Sequence, residues 1–185
     1  MRIKNKDEEL IMMKKMAIAL LCVALGSSLY ARDGISESRT FIGLELGYVE
    51  VQGDTRFEPQ FTGDYDVQFG VRLGAEKEEW RTTLIFDYYD SGTNDQSVQQ
   101  GLMTIDYYVL GNEDMFKPYI GLNVGYGRYE SIFIDESTYL YGGQVGFVVQ
   151  IANKVNLDLN YRYSLTGGDL FDHVGGVIFS VDYLF

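Results

Sequence analysis

The stretch VNLDLNYRYSL, residues 155–165, alternates apolar and polar side chains at every position. Side chains at positions i and i+2 lie on the same side of a β-strand, so one face of this segment is apolar and the other is polar. The apolar face carries Val155, Leu157, Leu159, Tyr161, Tyr163 and Leu165, and the polar face carries Asn156, Asp158, Asn160, Arg162 and Ser164. This period of two predicts a strand that separates two different environments.

The same alternation recurs along the chain in segments of about ten residues, which is typical of membrane barrels. The predicted strands are 40–50, 66–76, 80–90, 99–110, 117–129, 139–151, 155–165 and 174–185. Short connections alternate with longer ones that are rich in Gly, Ser, Thr, Asn and Asp. The short ones are 77–79, 111–116 and 152–154; the long ones are 51–65, 91–98, 130–138 and 166–173. We therefore predict an all-β, eight-stranded antiparallel up-and-down transmembrane β-barrel, with long loops outside and both termini in the periplasm.

A soluble sandwich or lipocalin-like barrel would alternate too, but with its apolar face inward. An export signal favours the membrane: Lys14 and Lys15 precede an apolar run at 16–25, and small residues predict cleavage after Ala31. That run is too short to span a bilayer, which needs about 20 residues. Residues 1–31 are thus predicted to be a signal peptide and 32–185 the barrel. Acidic residues at positions 7–9 are atypical of such a signal, which indicates a true start at Met12 or Met13.

The last predicted strand has apolar or aromatic residues at every second position, ending on Phe185. This ending resembles the C-terminal recognition strand of bacterial outer-membrane proteins. The stretch PYIGLNVGYG, residues 118–127, resembles the middle strands of small barrels of the OmpA/OmpX and opacity-protein type. The resemblance implies the cell outer membrane as the location, with membrane lipid, lipopolysaccharide and the barrel-insertion machinery as partners. It implies an insertion signal at Phe179, Val181, Tyr183 and Phe185, and it does not specify an activity.

The aromatic residues fit this orientation. Odd-numbered strands run outward and even-numbered strands run inward, which predicts one aromatic girdle near each membrane surface. The outer girdle would contain Tyr48, Tyr88, Tyr126, Tyr141 and Tyr163, and the inner girdle Trp80, Tyr183 and Phe185.

The charge of the mature chain excludes one class of partner. Cleavage after Ala31 would leave 10 Lys and Arg against 24 Asp and Glu, a net charge of −14, and no cysteine. Nucleic-acid binding needs a basic face, so we expect no nucleic-acid partner. Without cysteine there is no disulfide and no thiolate metal site.

Charged residues also occupy the face that the alternation turns inward. An eight-stranded barrel has an interior about wide enough for side chains, so we expect these groups to pair with one another and to block the lumen. Inward glycines at 43, 47, 70, 74, 121, 125 and 146 would make room for the long arginines. The alternative is a narrow channel that prefers cations, because the acids outnumber the arginines. The predicted ion network contains Glu45, Arg72, Arg81, Asp87, Asp106, Asp158, Arg162 and Asp182.

A catalytic site is not apparent. The single histidine, His173, is followed by Val174 and Gly175 and lacks the His-x-Ser pair of lipid A deacylases; we interpret it as a solvated loop residue. Ser164, inward on the neighbouring strand, leaves a composed esterase site open. Acidic side chains in the long loops could hold a divalent cation but lack calcium-loop spacing, so we interpret them as solvated loops and expect no metal and no cofactor. They are Asp54, Glu58, Asp64, Asp90, Asp95, Glu130, Asp135, Glu136, Asp169 and Asp172.

The sequence therefore favours a non-enzymatic outer-membrane barrel with a structural or surface-interaction role through its acidic extracellular loops, whose extracellular partner stays open. The first alternative is the narrow cation-preferring channel. The second is a lipopolysaccharide-modifying enzyme.

Overall fold

A computed structural model describes residues 38–53, 64–91, 96–110, 115–130, 135–167 and 171–185. They form eight strands in chain order. These are β1 (Arg39–Gly53), β2 (Asp64–Lys77), β3 (Trp80–Ser91), β4 (Gln96–Tyr108), β5 (Phe116–Glu130), β6 (Asp135–Ala152), β7 (Val155–Thr166) and β8 (Phe171–Leu184). Within these ranges, no helix is long and apolar enough to cross a membrane.

Each strand pairs antiparallel with the next, and β8 pairs with β1, so the sheet closes on itself. The predicted eight-stranded up-and-down barrel is therefore confirmed. Several strands extend further than the alternation predicts. β4 begins at residue 96 instead of 99, and β6 begins at 135 instead of 139. Except for Val98, these added residues are polar, so hydrophobic alternation does not mark them, although the ladder pairing continues through them.

The register defines the stagger of the barrel. Following paired inward residues once around the sheet leads from Phe41 back to β1 at Val51, ten residues further along. With strands about 4.8 Å apart and about 3.3 Å per residue, this stagger gives a strand tilt of about 40° and a backbone radius of about 8 Å. The interior is thus wide enough for one layer of long side chains and little more.

The two faces of the wall are inverted relative to a soluble protein. Leu44, Leu122 and Val145 point outward and are more than half exposed, whereas Asn123 and Asp158 point inward and are buried. A soluble barrel buries its apolar face, so the alternative of a lipocalin-like fold does not fit this distribution. The outward surface is apolar in the way that a hydrocarbon environment requires.

The two ends of the barrel differ in their connections. We call the end that carries residues 78–79, 109–115 and 153–154 the turn end, and the opposite end, with 54–63, 92–95, 131–134 and 168–170, the loop end. At the turn end, the outward rings of Trp80 and Tyr107 contact each other at a tilt of 59°, with centroids 5.1 Å apart. Toward the loop end, Tyr126 and Tyr139 meet edge to face at 5.5 Å. Outward aromatic rings therefore lie toward both ends, as in the aromatic girdles of membrane barrels.

Two sequence predictions fall outside the described residues. One is the signal peptide at 1–31. The other is the set of acidic loop residues, of which Asp54, Glu58, Asp95 and Asp169 lie in undescribed segments and the others lie at strand ends whose side chains are not described.

Candidate functional site

The barrel interior gathers the charged residues that the alternation turns inward. All eight side chains of the predicted network are buried there, with at most 5% of their surface exposed. They come from six of the eight strands, and they meet because the narrow bore brings opposite walls within reach of an arginine. These residues are Glu45, Arg72, Arg81, Asp87, Asp106, Asp158, Arg162 and Asp182.

Arg72, on β2, contacts residues of three other strands, β1, β7 and β8. Its Nη2 donates to Asp158 Oδ2 at 2.9 Å, and its Nη1 donates to Ser180 Oγ at 2.8 Å. Its Nε lies 3.1 Å from Asp182 Oδ1, and Glu45 lies 3.7 Å from Nη1. A planar guanidinium suits this role because it carries five donors in a fixed fork.

Arg162 forms a second centre, nearer to the loop end. It donates to both oxygens of Glu45 at 3.0 and 3.4 Å, and to Asp87 at 3.3 Å. Gln144 accepts from its Nε at 3.0 Å, and Gln100 donates to Asp87 at 3.0 Å. The neutral amides thus extend the ionic contacts into a hydrogen-bonded layer.

Arg81 forms the third centre, toward the turn end. Its Nε lies 2.8 Å from Asp106 and its Nη1 2.7 Å from Asp158. Its guanidinium also stacks over the ring of Tyr119, 4.4 Å from the centroid, while the Tyr119 hydroxyl donates to Asp158. Aromatic faces attract a desolvated cation, so Arg81 is held by carboxylates and by a ring at once.

Four further residues at the turn end belong to the same interior, although the predicted network omits them. Lys117 lies 3.6 Å from Glu76, and Glu76 also accepts from the Tyr108 hydroxyl at 2.9 Å. The alternation along β2 and β5 places Glu76 and Lys117 on the inward face, so the sequence already indicates that both belong to the interior. The same alternation along β4 and β5 places Tyr108 and Tyr119 inward, and both are buried.

The interior also contains an apolar layer, which strict alternation does not predict. It lies between the Arg162 centre and the loop end and consists of Val49, Ile85, Tyr89, Val98, Leu102, Leu140 and Val174. Buried apolar side chains offer water no hydrogen-bond partners, so this layer disfavours a wet path. The described interior thus has polar contacts in its middle and apolar contacts toward the loop end.

Three of the seven inward glycines make room for a carboxylate of the neighbouring strand. Gly43 faces Asp182 across β1 and β8, Gly70 faces Asp87 across β2 and β3, and Gly121 faces Asp106 across β4 and β5. In each case a Cβ on the glycine would collide with the Oδ1 of the paired aspartate. At these three positions the carboxylate of the neighbouring strand lies over the glycine. At Gly43 the Cγ of Arg72 also lies 3.1 Å from the Cβ position, as the prediction of room for an arginine requires.

The esterase pair is not brought together. Ser164 points inward and donates to Asn123 Oδ1 at 2.9 Å, whereas His173 lies on the opposite face of the wall, its ring 4.9 Å from that of Tyr163. His173 is therefore part of β8 and half-buried, and its interpretation as a solvated loop residue is wrong. In the described part of the chain, no group of three acidic, histidine or cysteine side chains is placed to hold a metal ion.

Comparisons with known proteins support the fold. No family model and no curated protein matches the sequence. Neisserial surface protein A matches with a TM-score of 0.65 and 15% identity over 79% of this chain and 97% of that one. Outer membrane protein H (OprH) of P. aeruginosa matches at 0.57 with 18% identity over 79% and 99%. The attachment invasion locus protein Ail of Yersinia pestis matches at 0.52 with 16% identity over 80% and 99%.

The outer membrane enzyme PagL is also similar, with a TM-score of 0.51 and 10% identity over 77% of this chain and 98% of that one. At such identities a likeness shows the fold and does not carry an activity. The chain has the architecture of the small eight-stranded outer-membrane barrels.

Proposed function

We propose that this protein is an integral barrel of the bacterial outer membrane whose role is structural or interactive and is carried by its loop end. The observation that supports this most is the inverted wall: apolar side chains point outward over a continuous band, and charged side chains are buried inside. Only a hydrocarbon surrounding favours that arrangement. The similar solved structures are outer-membrane proteins, which agrees with this location.

The orientation follows from the connections. The two-residue turns 78–79 and 153–154 lie at one end of the barrel, and the longest connection, residues 54–63, joins two strands at the other. In outer-membrane barrels the long loops face outward. The loop end would then face the cell exterior and lipopolysaccharide, and the turn end the periplasm. Loops on a rigid scaffold are the parts of such a protein that contact partners.

The interior favours a plug over a channel. Arg72 and Arg162 join strands on different sides of the lumen, and the apolar layer closes the space toward the loop end. The described interior holds six buried acids and four buried bases, so an opened lumen would favour cations. Planar-bilayer conductance tests this: the refolded chain should give no discrete steps, and a regular cation-selective step in the wild type would refute the plug.

The proposal also excludes acyl-transfer chemistry at the single histidine. Ser164 and His173 lie on opposite faces of the wall, so neither can take a proton from the other. Incubation with lipopolysaccharide should release no fatty acid. Release that His173→Ala abolishes would overturn the non-enzymatic assignment and favour the lipid-modifying alternative.

The membrane assignment has a direct test. The refolded chain should migrate faster unheated than boiled in detergent gels, and it should resist urea only with detergent or lipid present. In whole cells, a protease added outside should cut within the long connections and leave the turn end intact. A monodisperse, detergent-independent soluble monomer would contradict the proposal.

A further inference from the structure

The outward surface of β3, β4 and β5 carries a groove that begins at the turn end and runs toward the middle of the barrel. Its volume is about 480 Å³, within the range of small-molecule pockets. Trp80 is the first residue of β3 and Tyr107 lies next to the end of β4, so their contacting rings mark the mouth of the groove. Its side-chain walls are Trp80, Met103, Ile105, Tyr107, Leu122 and Val124.

The groove lies between outward side chains of β3, β4 and β5. The groove is also lined by Gly121 and Asn123, residues of the inward face, so it reaches down to the backbone of β5. A slender apolar occupant would therefore contact backbone and side chains together.

The mouth of the groove is charged, and the charges are of both signs. Lys77, the last residue of β2, is paired with Trp80, and its ammonium lies 3.7 Å from Glu78 in the turn. The carbonyl of Glu79 accepts from the backbone N–H of Tyr108 at 2.7 Å, which ties this turn to the end of β4. Lys77, Glu78 and Glu79 thus lie beside the opening, with exposed side chains.

We propose that this groove is a specific site for an inner-leaflet phospholipid whose headgroup carries a primary ammonium, of the phosphatidylethanolamine class. One acyl chain lies along β4, the phosphate faces Lys77, and the ammonium faces Glu78 and Glu79. The inference rests on the proposed membrane location, since it requires the turn end to lie at the periplasmic surface. Aromatic rings at a membrane surface sit at headgroup level, which is where the groove opens.

The charge pattern selects among lipids. A net-anionic headgroup would meet two carboxylates and one ammonium, which is unfavourable. A quaternary choline headgroup has no N–H to donate to a carboxylate, whereas a primary ammonium has three. The mixed charges at the mouth therefore complement a headgroup that has both a phosphate and a donating ammonium.

The chain offers its own reporter, because Trp80 is its only tryptophan. The full chain is refolded into vesicles of ethanolamine and choline phospholipids, with bromine, which quenches indole fluorescence, on the chains of one lipid class at a time. At equal mole fraction, the brominated ethanolamine lipid should occupy the groove about fivefold more than the brominated choline lipid. Equal quenching by the two lipids at every mole fraction would overturn the proposal.

Variants separate the headgroup contacts from the groove. The double change Lys77→Gln with Glu79→Gln should bring the preference to about one, while Lys154→Gln, in the β6–β7 turn, should leave it unchanged. Val124→Phe should fill the groove and reduce quenching by both lipids. Retention of the full preference in the double variant, or unchanged quenching in Val124→Phe, would contradict the site.

Two other outcomes are distinguishable. If a second copy of the chain covers the groove, Trp80 will become protected from both brominated lipids as the protein-to-lipid ratio rises, and the lipid site is refuted. If the chain does not insert, the heat-dependent gel shift will be absent, which refutes the membrane proposal itself. If the barrel shows the heat-dependent gel shift, and so inserts, but has no lipid preference, only the groove site is refuted.

Discussion

Replacing Arg72 by methionine should destabilise the barrel by about 3–5 kcal/mol, and most of that cost should arise at one carboxylate. Arg72 contacts Asp158, Asp182 and Glu45, but the three do not depend on it equally. Two of them keep another arginine, at 2.7 Å from Asp158 and 3.0 Å from Glu45. Within the described residues, Asp182 has its ion pair with Arg72 alone, and it is only 2% exposed.

The size of the effect follows from what remains after the substitution. Methionine fills much of the arginine volume, so the cavity term is small and the cost is that of a buried, uncompensated charge. Adding Asp182→Asn to Arg72→Met removes this charge and should recover about 1–3 kcal/mol, as a coupling between residues in contact. Lys77→Met, which removes an exposed cation 3.7 Å from Glu78, is the matched control and should cost no more than about 1 kcal/mol.

The assay is urea unfolding of the refolded chain in detergent micelles, followed by the fluorescence of Trp80. The slope should stay constant between variants if only the native state is affected. If Arg72→Met lies within about 0.5 kcal/mol of wild type, or if the double variant is no more stable than the single one, the network does not work as described.

Three further outcomes follow from the wall itself. Leu122 faces the lipid near mid-height and is 71% exposed, so Leu122→Arg should cost about 2–4 kcal/mol of insertion free energy. The control Ser137→Arg, near the loop end, should cost about 0–1 kcal/mol. Equal costs for the two variants would contradict the proposed position of the barrel in the membrane. Gly70→Ala should cost about 1–3 kcal/mol because its Cβ meets Asp87, whereas Gly101→Ala, whose Cβ has no neighbour closer than 3.7 Å, should be neutral; urea midpoints decide. Glu78→Gly should stabilise by about 1 kcal/mol in the same assay, because Glu78 has a φ of 52°; a loss of stability would contradict this.

The sequence predicts the strands and their faces well, for a physical reason. The period of two is set by the pleat, so a residue such as Arg162 or Leu159 has its side of the wall determined by its neighbours alone. The lengths of the connections also predict the order of the strands in the sheet, because two strands joined by a short turn must be antiparallel neighbours. Strand ends are less well predicted, because beyond the hydrocarbon both faces are polar and alternation disappears, as at the start of β6.

The pairing inside the barrel is harder to predict. Arg72 and Asp158 are 86 positions apart and lie on β2 and β7, and whether they meet depends on the stagger of ten residues. The alternation gives the face and not the height. It therefore places Leu102 and Tyr108 inward with Asp106, but it does not show that Leu102 joins an apolar layer while Tyr108 lies at the turn end. Only the register, with the closure of β8 onto β1, assigns their heights.

The pairing of glycine with aspartate has a consequence for how the barrel closes. At the seam between the first and last strands, Asp182 fits only opposite Gly43. A slip by two residues, which keeps every side chain on its own face, would set this carboxylate against the ring of Phe41 or against Glu45. Closure in a wrong register would thus meet a steric clash or a like-charge repulsion, while the correct one meets neither. The space over the glycine, which only the paired carboxylate fits, thus selects the correct register during assembly. The apolar outward side chains could not do this, because the fluid bilayer accepts them in any register.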